Sequence, residues 1–222
     1  MPDRPYYGAY DERYRLAHDA GLRWMGDEPS HIVMTTLRRY GISRKDPILE
    51  IGCGEGRDAE PLLKNGYDLL AADVSPEAIR YCRRLMPEHA SRFRTLDCLT
   101  DRLEGRFDFI YAIAVLHMLV PDEDRRAFYR FIREHLTERG VSLVAAMGDG
   151  KTQRRSDIRE AYSLRERESP QGTLMLPSTS CRTVDWDCFR REIRESGLTV
   201  AEEGLCSCDP QFDSLMYAVI RR

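Results

Sequence analysis

The sequence predicts an α/β fold: one mostly parallel sheet, finished by an antiparallel hairpin and covered by helices on both faces. Three observations predict it. From Pro47 onward, short apolar runs alternate with amphipathic stretches, the pattern of strand–helix–strand units with right-handed crossovers. Val141 to Met147 is an unbroken apolar run suited to a strand buried on both faces. Near the end, Leu198 to Leu205 and Ser214 to Ile220 read as strands whose join, through Cys208-Asp209-Pro210, is too short for a parallel crossover. Five strands before the hairpin and two within it make a seven-stranded mixed sheet.

The elements follow in order. Pro47 to Ile51 reads as the first strand and Asp58 to Lys64 as the helix after it. Asp68 to Ala72 is the second strand, and Pro76 to Leu85 a helix with Ile79 and Cys82 on one side. Arg92 to Leu96 is a more polar third strand, and Phe107 to Ala112 the fourth. Between the fourth and fifth strands, Pro121 stands near a helix start, with Asp122, Glu123 and Asp124 where the helix dipole favours negative charge. Phe128, Ile132 and Leu136 form that helix's apolar stripe, and Gly140 is expected to end it. Trp186, Phe189 and Ile193 mark a last helix ending at Gly197.

One domain accounts for the 222 residues. Residues 1–45 form a helical cap rich in aromatics, 46–147 the core, 148–183 an insertion after the fifth strand, and 184–222 the terminal helix and hairpin. The insertion is expected to hold an arginine- and glutamate-rich helix and a loop with Pro170, Gly172 and Pro177. An excursion of that length at a strand end is usually functional.

Hydrophobic residues make up 42% and charged residues 32%, the balance of a soluble globular chain. The net charge of −3, with acids accompanying the arginines, gives no field for nucleic acid. No apolar run is long enough to cross a bilayer, and the start lacks the apolar core of a secretion signal. Seven irregularly placed cysteines, with Cys53 and Cys98 at strand ends, read as thiols, so the expected compartment is cytoplasmic. Cys206-Ser207-Cys208 lacks the further ligands a zinc site needs, and no metal is expected. The oligomeric state is not written in the sequence.

The run Glu50-Ile51-Gly52-Cys53-Gly54-Glu55-Gly56-Arg57 joins the first strand to its helix. Alternating glycines leave backbone that a ligand can touch, at the carboxyl ends of strands where open α/β sheets bind ligands. Asp73 ends the second strand, about twenty residues on, where an acid accepts both ribose hydroxyls of an adenosine. The dinucleotide fingerprint would need glycine at 57, where Arg57 stands, and no phosphate-binding P-loop signature occurs.

These residues resemble the class I S-adenosylmethionine-dependent methyltransferases. Glu50 to Gly56 is similar to that family's first motif, and Asp73-Val74-Ser75 to its ribose-binding corner. Asp97-Cys98-Leu99 looks like its adenine-binding acid, and Phe107-Asp108-Phe109-Ile110 like its fourth-strand motif. Leu136 to Gly140 stands where the family often has a Leu-Lys-Pro-Gly-Gly turn. The likeness spans residues 45 to 147. It implies a Rossmann-like fold with S-adenosyl-L-methionine as cofactor. It further implies that Gly52, Cys53, Gly54 and Gly56 approach the cofactor through backbone, that Glu50 organises the turn or meets the methionine amine, and that Asp73 and Ser75 form the ribose corner. Val74 would then pack on adenine, Asp97 and Cys98 flank it, and Ala112 and Ile113 face the methionine part. For Arg57 two readings stand, a partner for the cofactor carboxylate and a surface salt bridge. Within the family, the run from Leu49 through Asn65-Gly66-Tyr67-Asp68 to Asp73, then Val115-Leu116-His117-Met118 and Val144-Ala145-Ala146-Met147, resembles small-molecule methyltransferases of the tellurite-resistance type.

A sulfonium carries its own leaving group, so such a protein mainly aligns an acceptor and excludes water. A soft acceptor needs little more, whereas oxygen or nitrogen calls for a base, and His117, after the fourth strand, is the candidate. The alternative is a structural histidine. Tyr10, Tyr14 and Trp24 are the aromatics expected to meet substrate or cofactor, the others packing as an apolar cap. Cys181, in Thr179-Ser180-Cys181-Arg182, is a further substrate candidate beside a plain surface-loop reading. The expected function is methyl transfer to a small molecule. A silent cofactor-binding module that contacts a protein partner is the rival. A nucleic-acid enzyme is disfavoured, because Ala112-Ile113-Ala114-Val115 stands where an Asn-Pro-Pro-Tyr-like motif would be.

Overall fold

The computed structural model describes residues 4–24, 26–169, 172–207 and 214–222; the Cys208-Asp209-Pro210 join and Pro170 lie outside them. Two helices, α1 (Ala9–Asp19) and α2 (His31–Arg39), precede the sheet. Then come β1 (Ile48–Ile51), α3 (Ala59–Lys64), β2 (Leu69–Asp73), α4 (Pro76–Leu85), β3 (Phe93–Thr95), β4 (Phe107–Ile113), α5 (Asp122–His135) and β5 (Leu136–Met147). The insertion carries β6 (Arg154–Arg155), β7 (Leu164–Ser169), β8 (Gly172–Pro177) and β9 (Arg182–Thr183). The chain closes with α6 (Trp186–Glu195), β10 (Thr199–Cys206) and β11 (Leu215–Arg221).

Seven strands form one sheet in the order β10-β11-β5-β4-β1-β2-β3. β11 runs antiparallel to both neighbours and the other pairs are parallel, the mixed sheet the sequence predicts. Strand alternation sends Ile48, Phe109, Tyr111 and Leu143 into a core with α2, α3 and α4. It sends Leu49, Ile110, Ala112 and Val144 into another with α5 and α6. Burial on both faces is why the central strands are apolar without interruption, and each large side chain so buried stabilises by roughly 1.5–3 kcal/mol. β1 pairs with β2 on one side and β4 on the other, so the strand order reverses there and a crevice opens at the carboxyl ends.

Two expectations are corrected. α5 stops at His135, and Leu136 turns extended to pair with Phe107 as β5 begins. Gly140 lies inside β5, where an added Cβ would come 3.0 Å from the Phe107 carbonyl, beside the register shift between Phe107 and Phe109. Close strand approach, not a helix stop, calls for glycine there. The arginine- and glutamate-rich segment is no helix either. Apart from a single turn at Ile158–Glu160 it forms an antiparallel ribbon, β7 against β8, with Leu164 opposite Pro177. Leu176 is buried against α1, and that tertiary contact overrides the helix propensity of the charged run.

Candidate active site

A cleft of about 1320 Å³ opens at the carboxyl ends of β1, β2 and β4. Its floor is the glycine turn. Gly52 and Cys53 both donate their N–H to the Ala72 carbonyl, at 2.7 and 2.9 Å, tying the turn to β2. Gly52 (φ +75°) and Gly54 (φ +51°) hold left-handed backbone. An added Cβ would come 2.3 Å from Val115 Cγ2 at the first and 2.7 Å from the Tyr14 hydroxyl at the second. The floor is therefore bare backbone.

Asp73 stands beside it, nearly buried, its carboxylate accepting from the N–H of Gly54 and of Ser75, each at 2.8 Å. Burial pushes its pKa up to about 6, against the pull of those two donors. A carboxyl raised in the fold binds its proton more tightly there, so its ionisation costs stability as pH rises through about 6. A ribose diol needs the ionised form. Affinity for an adenosine ligand is therefore expected to fall about tenfold per pH unit below pH 6, and Asp73→Asn to flatten that slope; calorimetry across this range checks both.

Glu50 is buried, and its Oε2 has no hydrogen-bond partner among the described residues; burial, with the Asp58 charge adding, drives its carboxyl well up. Asp58 accepts from the Ser30 N–H and hydroxyl at 2.5 and 3.0 Å. Arg57 is buried beside it, 3.5 Å from Asp58 and 3.0 Å from Ser30 Oγ, which corrects the surface-salt-bridge reading. Asp97 accepts from the Leu99 N–H at 2.9 Å and the Tyr7 hydroxyl at 2.8 Å. Val74, Cys98 and Ile113 complete this wall with Cys53.

Three expected contacts stand apart. Gly56 sits under Met86 and Cys82 rather than on the cleft. Ser75 caps α4, accepting from the Ala78 N–H at 3.0 Å and donating to Asp11 at 2.7 Å. Ala112 points into the core with α5 and α6, so by strand alternation its neighbour Ile113 takes the cleft position.

α1 forms the cover and brings Tyr10 and Tyr14 to the cleft, with Trp24 after it and Cys181 from the insertion. The Tyr10 hydroxyl donates to the Ser180 carbonyl at 2.9 Å. Arg13 Nη2 donates to the Pro177 carbonyl and to Thr179 Oγ1, each at 2.8 Å. At the far end His18 bridges Glu55 and Glu77, each at 2.9 Å, and stacks on Tyr81. Burial opposes charge on His18, but the two carboxylates outweigh it and raise its pKa. The cover is thus pinned to floor and insertion.

His117 is buried in a single turn, Leu116–Met118, and lines the cleft. The Met147 N–H donates to its Nδ1 at 3.2 Å, which puts the neutral ring's proton on Nε2. This tautomer donates; acting as a base would require that bond to yield. Arg125, fully buried, fixes the turn, donating to the Leu116 and Leu119 carbonyls at 2.8 and 3.3 Å and to both oxygens of Glu192. No motif in the sequence singles out Arg13, His18 or Arg125, whereas Thr179 lies in the Thr179-Ser180-Cys181-Arg182 run expected to meet substrate. One signal was there: Tyr10, Arg13 and Tyr14 share a helix face by their i, i+3, i+4 spacing.

The carboxylates of Asp58, Asp73 and Asp97 on one cleft suit a ligand with a cationic centre. The bare turn, the pinned Asp73 and the orphaned Glu50 oxygen fit an adenosine carrying a sulfonium and an amine. Among the described residues there is no group of three or more His, Cys, Asp or Glu able to hold a metal, and no helix long and apolar enough to cross a membrane.

Residues 49–142 match a family described as a methyltransferase domain. Over 82 residues the chain is 32% identical to magnesium-protoporphyrin O-methyltransferase of Rhodobacter capsulatus, covering 35% of this chain and 36% of that relative's length. An S-adenosylmethionine-dependent methyltransferase from Clostridium acetobutylicum superposes with a TM-score of 0.67 at 14% identity, over 97% of this chain and 98% of that one. The 1,6-didemethyltoxoflavin-N1-methyltransferase of Burkholderia thailandensis, crystallised with 1,6-didemethyltoxoflavin and S-adenosylhomocysteine, does so at 0.68 and 17% identity, over 100% and 92%. At these identities the structural likeness is one of fold.

Proposed function

We propose that this chain, which carries a class I S-adenosylmethionine-dependent methyltransferase domain, transfers the cofactor's methyl group to a small-molecule acceptor. The observation that carries the reading is Asp73, pinned by two N–H groups at the end of β2 beside the bare turn of β1. When bound, the cofactor supplies an electrophilic methyl group whose leaving group is a neutral thioether. Asp73 accepts from the ribose hydroxyls, Val74 and Asp97 flank the adenine, and Glu50 offers its unpartnered oxygen to the methionine amine. Tyr10, Tyr14 and Trp24 exclude water from above. The bonds from α1 to Ser180, Pro177 and Thr179 roof the cleft and favour a small acceptor over a macromolecule.

His117 orients the acceptor through its Nε2–H. With an oxygen or nitrogen acceptor, His117→Ala is expected to lower kcat/KM about tenfold with S-adenosylhomocysteine affinity unchanged, and His117→Gln, which keeps a donor, to recover part of it. Full activity of the alanine variant on such an acceptor removes the role. Mass spectrometry with deuteriomethyl cofactor and a panel of small acceptors tests the whole reading. A labelled small molecule supports it; cofactor binding with no labelled product across the panel, or label on protein or nucleic acid, overturns it.

A further inference from the structure

Resting on that reading, we propose that the acceptor is a small carboxylic acid whose carboxylate is held by Arg13 and Arg167 under the roof of the cleft. Both signs of charge line the cleft. Glu50, Asp58, Asp73 and Asp97 stand with Arg57 toward the floor, and α1 and β7 bring Arg13 and Arg167, with Glu166, to the upper wall.

Arg13 is 6% exposed, yet no carboxylate lies within ion-pair distance of it among the described residues. Among the described residues only Nη2 is bonded, to the carbonyls of Pro177 and Ser178 and to Thr179 Oγ1, at 2.8, 3.2 and 2.8 Å. Among the described residues the buried Nε has no partner and Nη1 makes no hydrogen bond. The faces of Trp24 at 4.5 Å and Tyr10 at 5.5 Å ease the burial of this charge but cannot accept the missing N–H bonds in its plane.

Arg167 makes matters worse for the free protein. Its like charge acts on Arg13 and joins burial in lowering the pKa of that guanidinium. Glu166, the acid nearest in sequence on the same wall, forms no ion pair with Arg13. Two cations converging on one recess, one of them buried with donors to spare, call for an anion between them. The recess is firmly built. Thr179, β-branched, is held at φ +61° by the Arg13 bond and by its own N–H to the Ala161 carbonyl at 2.8 Å.

Calorimetric titration of the S-adenosylhomocysteine complex with benzoate and phenylacetate, each against its amide, tests this. The acids are expected to bind about tenfold or more tightly than the amides, and Arg13→Met and Arg167→Met each to remove most of that preference, with S-adenosylhomocysteine affinity unchanged in Arg167→Met. Arg167 is exposed and makes no ion pair among the described residues, so its variant reads the effect even if Arg13→Met folds poorly. Equal binding of acids and amides, or binding of neither at millimolar concentration, overturns the proposal. So does a loss of S-adenosylhomocysteine affinity in Arg167→Met, which would give that guanidinium to the cofactor. Failure of the underlying reading is distinct: the unmodified protein would then not bind S-adenosylhomocysteine at all.

Discussion

Asp73→Ala is expected to weaken S-adenosylhomocysteine binding by at least about tenfold, measured by isothermal titration at neutral pH, with the fold intact. Each hydrogen bond to an ionised carboxylate contributes about 1.5–3 kcal/mol, and the ribose loses its acceptors at once. The same carboxylate pins the N–H groups of Gly54 and Ser75, so the floor of the cleft loosens as well. Stability moves little by comparison. With a pKa pushed up to about 6, the ionised Asp73 is itself a cost to the free protein at neutral pH, and its removal offsets part of what the loop loses. Unchanged affinity in a folded variant would separate Asp73 from the ligand.

The largest expected loss of stability is at Arg125. Its side chain is 2% exposed and makes a two-point contact with Glu192, besides closing two carbonyls of the His117 turn. Arg125→Ala leaves Glu192 and those carbonyls short of donors, and removing one partner of a buried pair costs about 3–5 kcal/mol. Arg182 stands 3.7 Å from Glu192, a long contact that replaces little of this. Denaturant titration is expected to show that loss, with Arg125→Lys intermediate because it keeps the charge without the planar fork. An unchanged unfolding midpoint would contradict it. In any Arg125 variant that folds, turnover falls more than cofactor affinity, since the turn it holds carries His117 and not Asp73.

The sheet was legible in the sequence because both its faces are buried. Strands such as Phe107–Ile113 have no polar side to disguise them, and the glycine turn and Asp73 follow from local chemistry at their ends. What escaped was set by distant contacts. Leu136 continues the helical spacing of Phe128 and Ile132, so only its pairing with Phe107 shows that the helix has ended. The charged ribbon of the insertion has no periodicity of its own and takes its form from Leu176 against α1. Nothing local to Arg13 marks it as buried among the chain's many arginines. Its burial depends on Pro177, Ser178 and Thr179, more than 160 residues away in sequence. Ala112 and Ile113 fall on opposite faces of β4, which strand alternation could have separated in advance.

The most direct measurement titrates the unmodified protein with S-adenosylmethionine and, separately, with NAD. One S-adenosylmethionine per chain, weakening below pH 6, and no detectable NAD binding is the predicted result. Uptake of the phosphate-bearing dinucleotide, or no heat from S-adenosylmethionine at millimolar concentration, would contradict it.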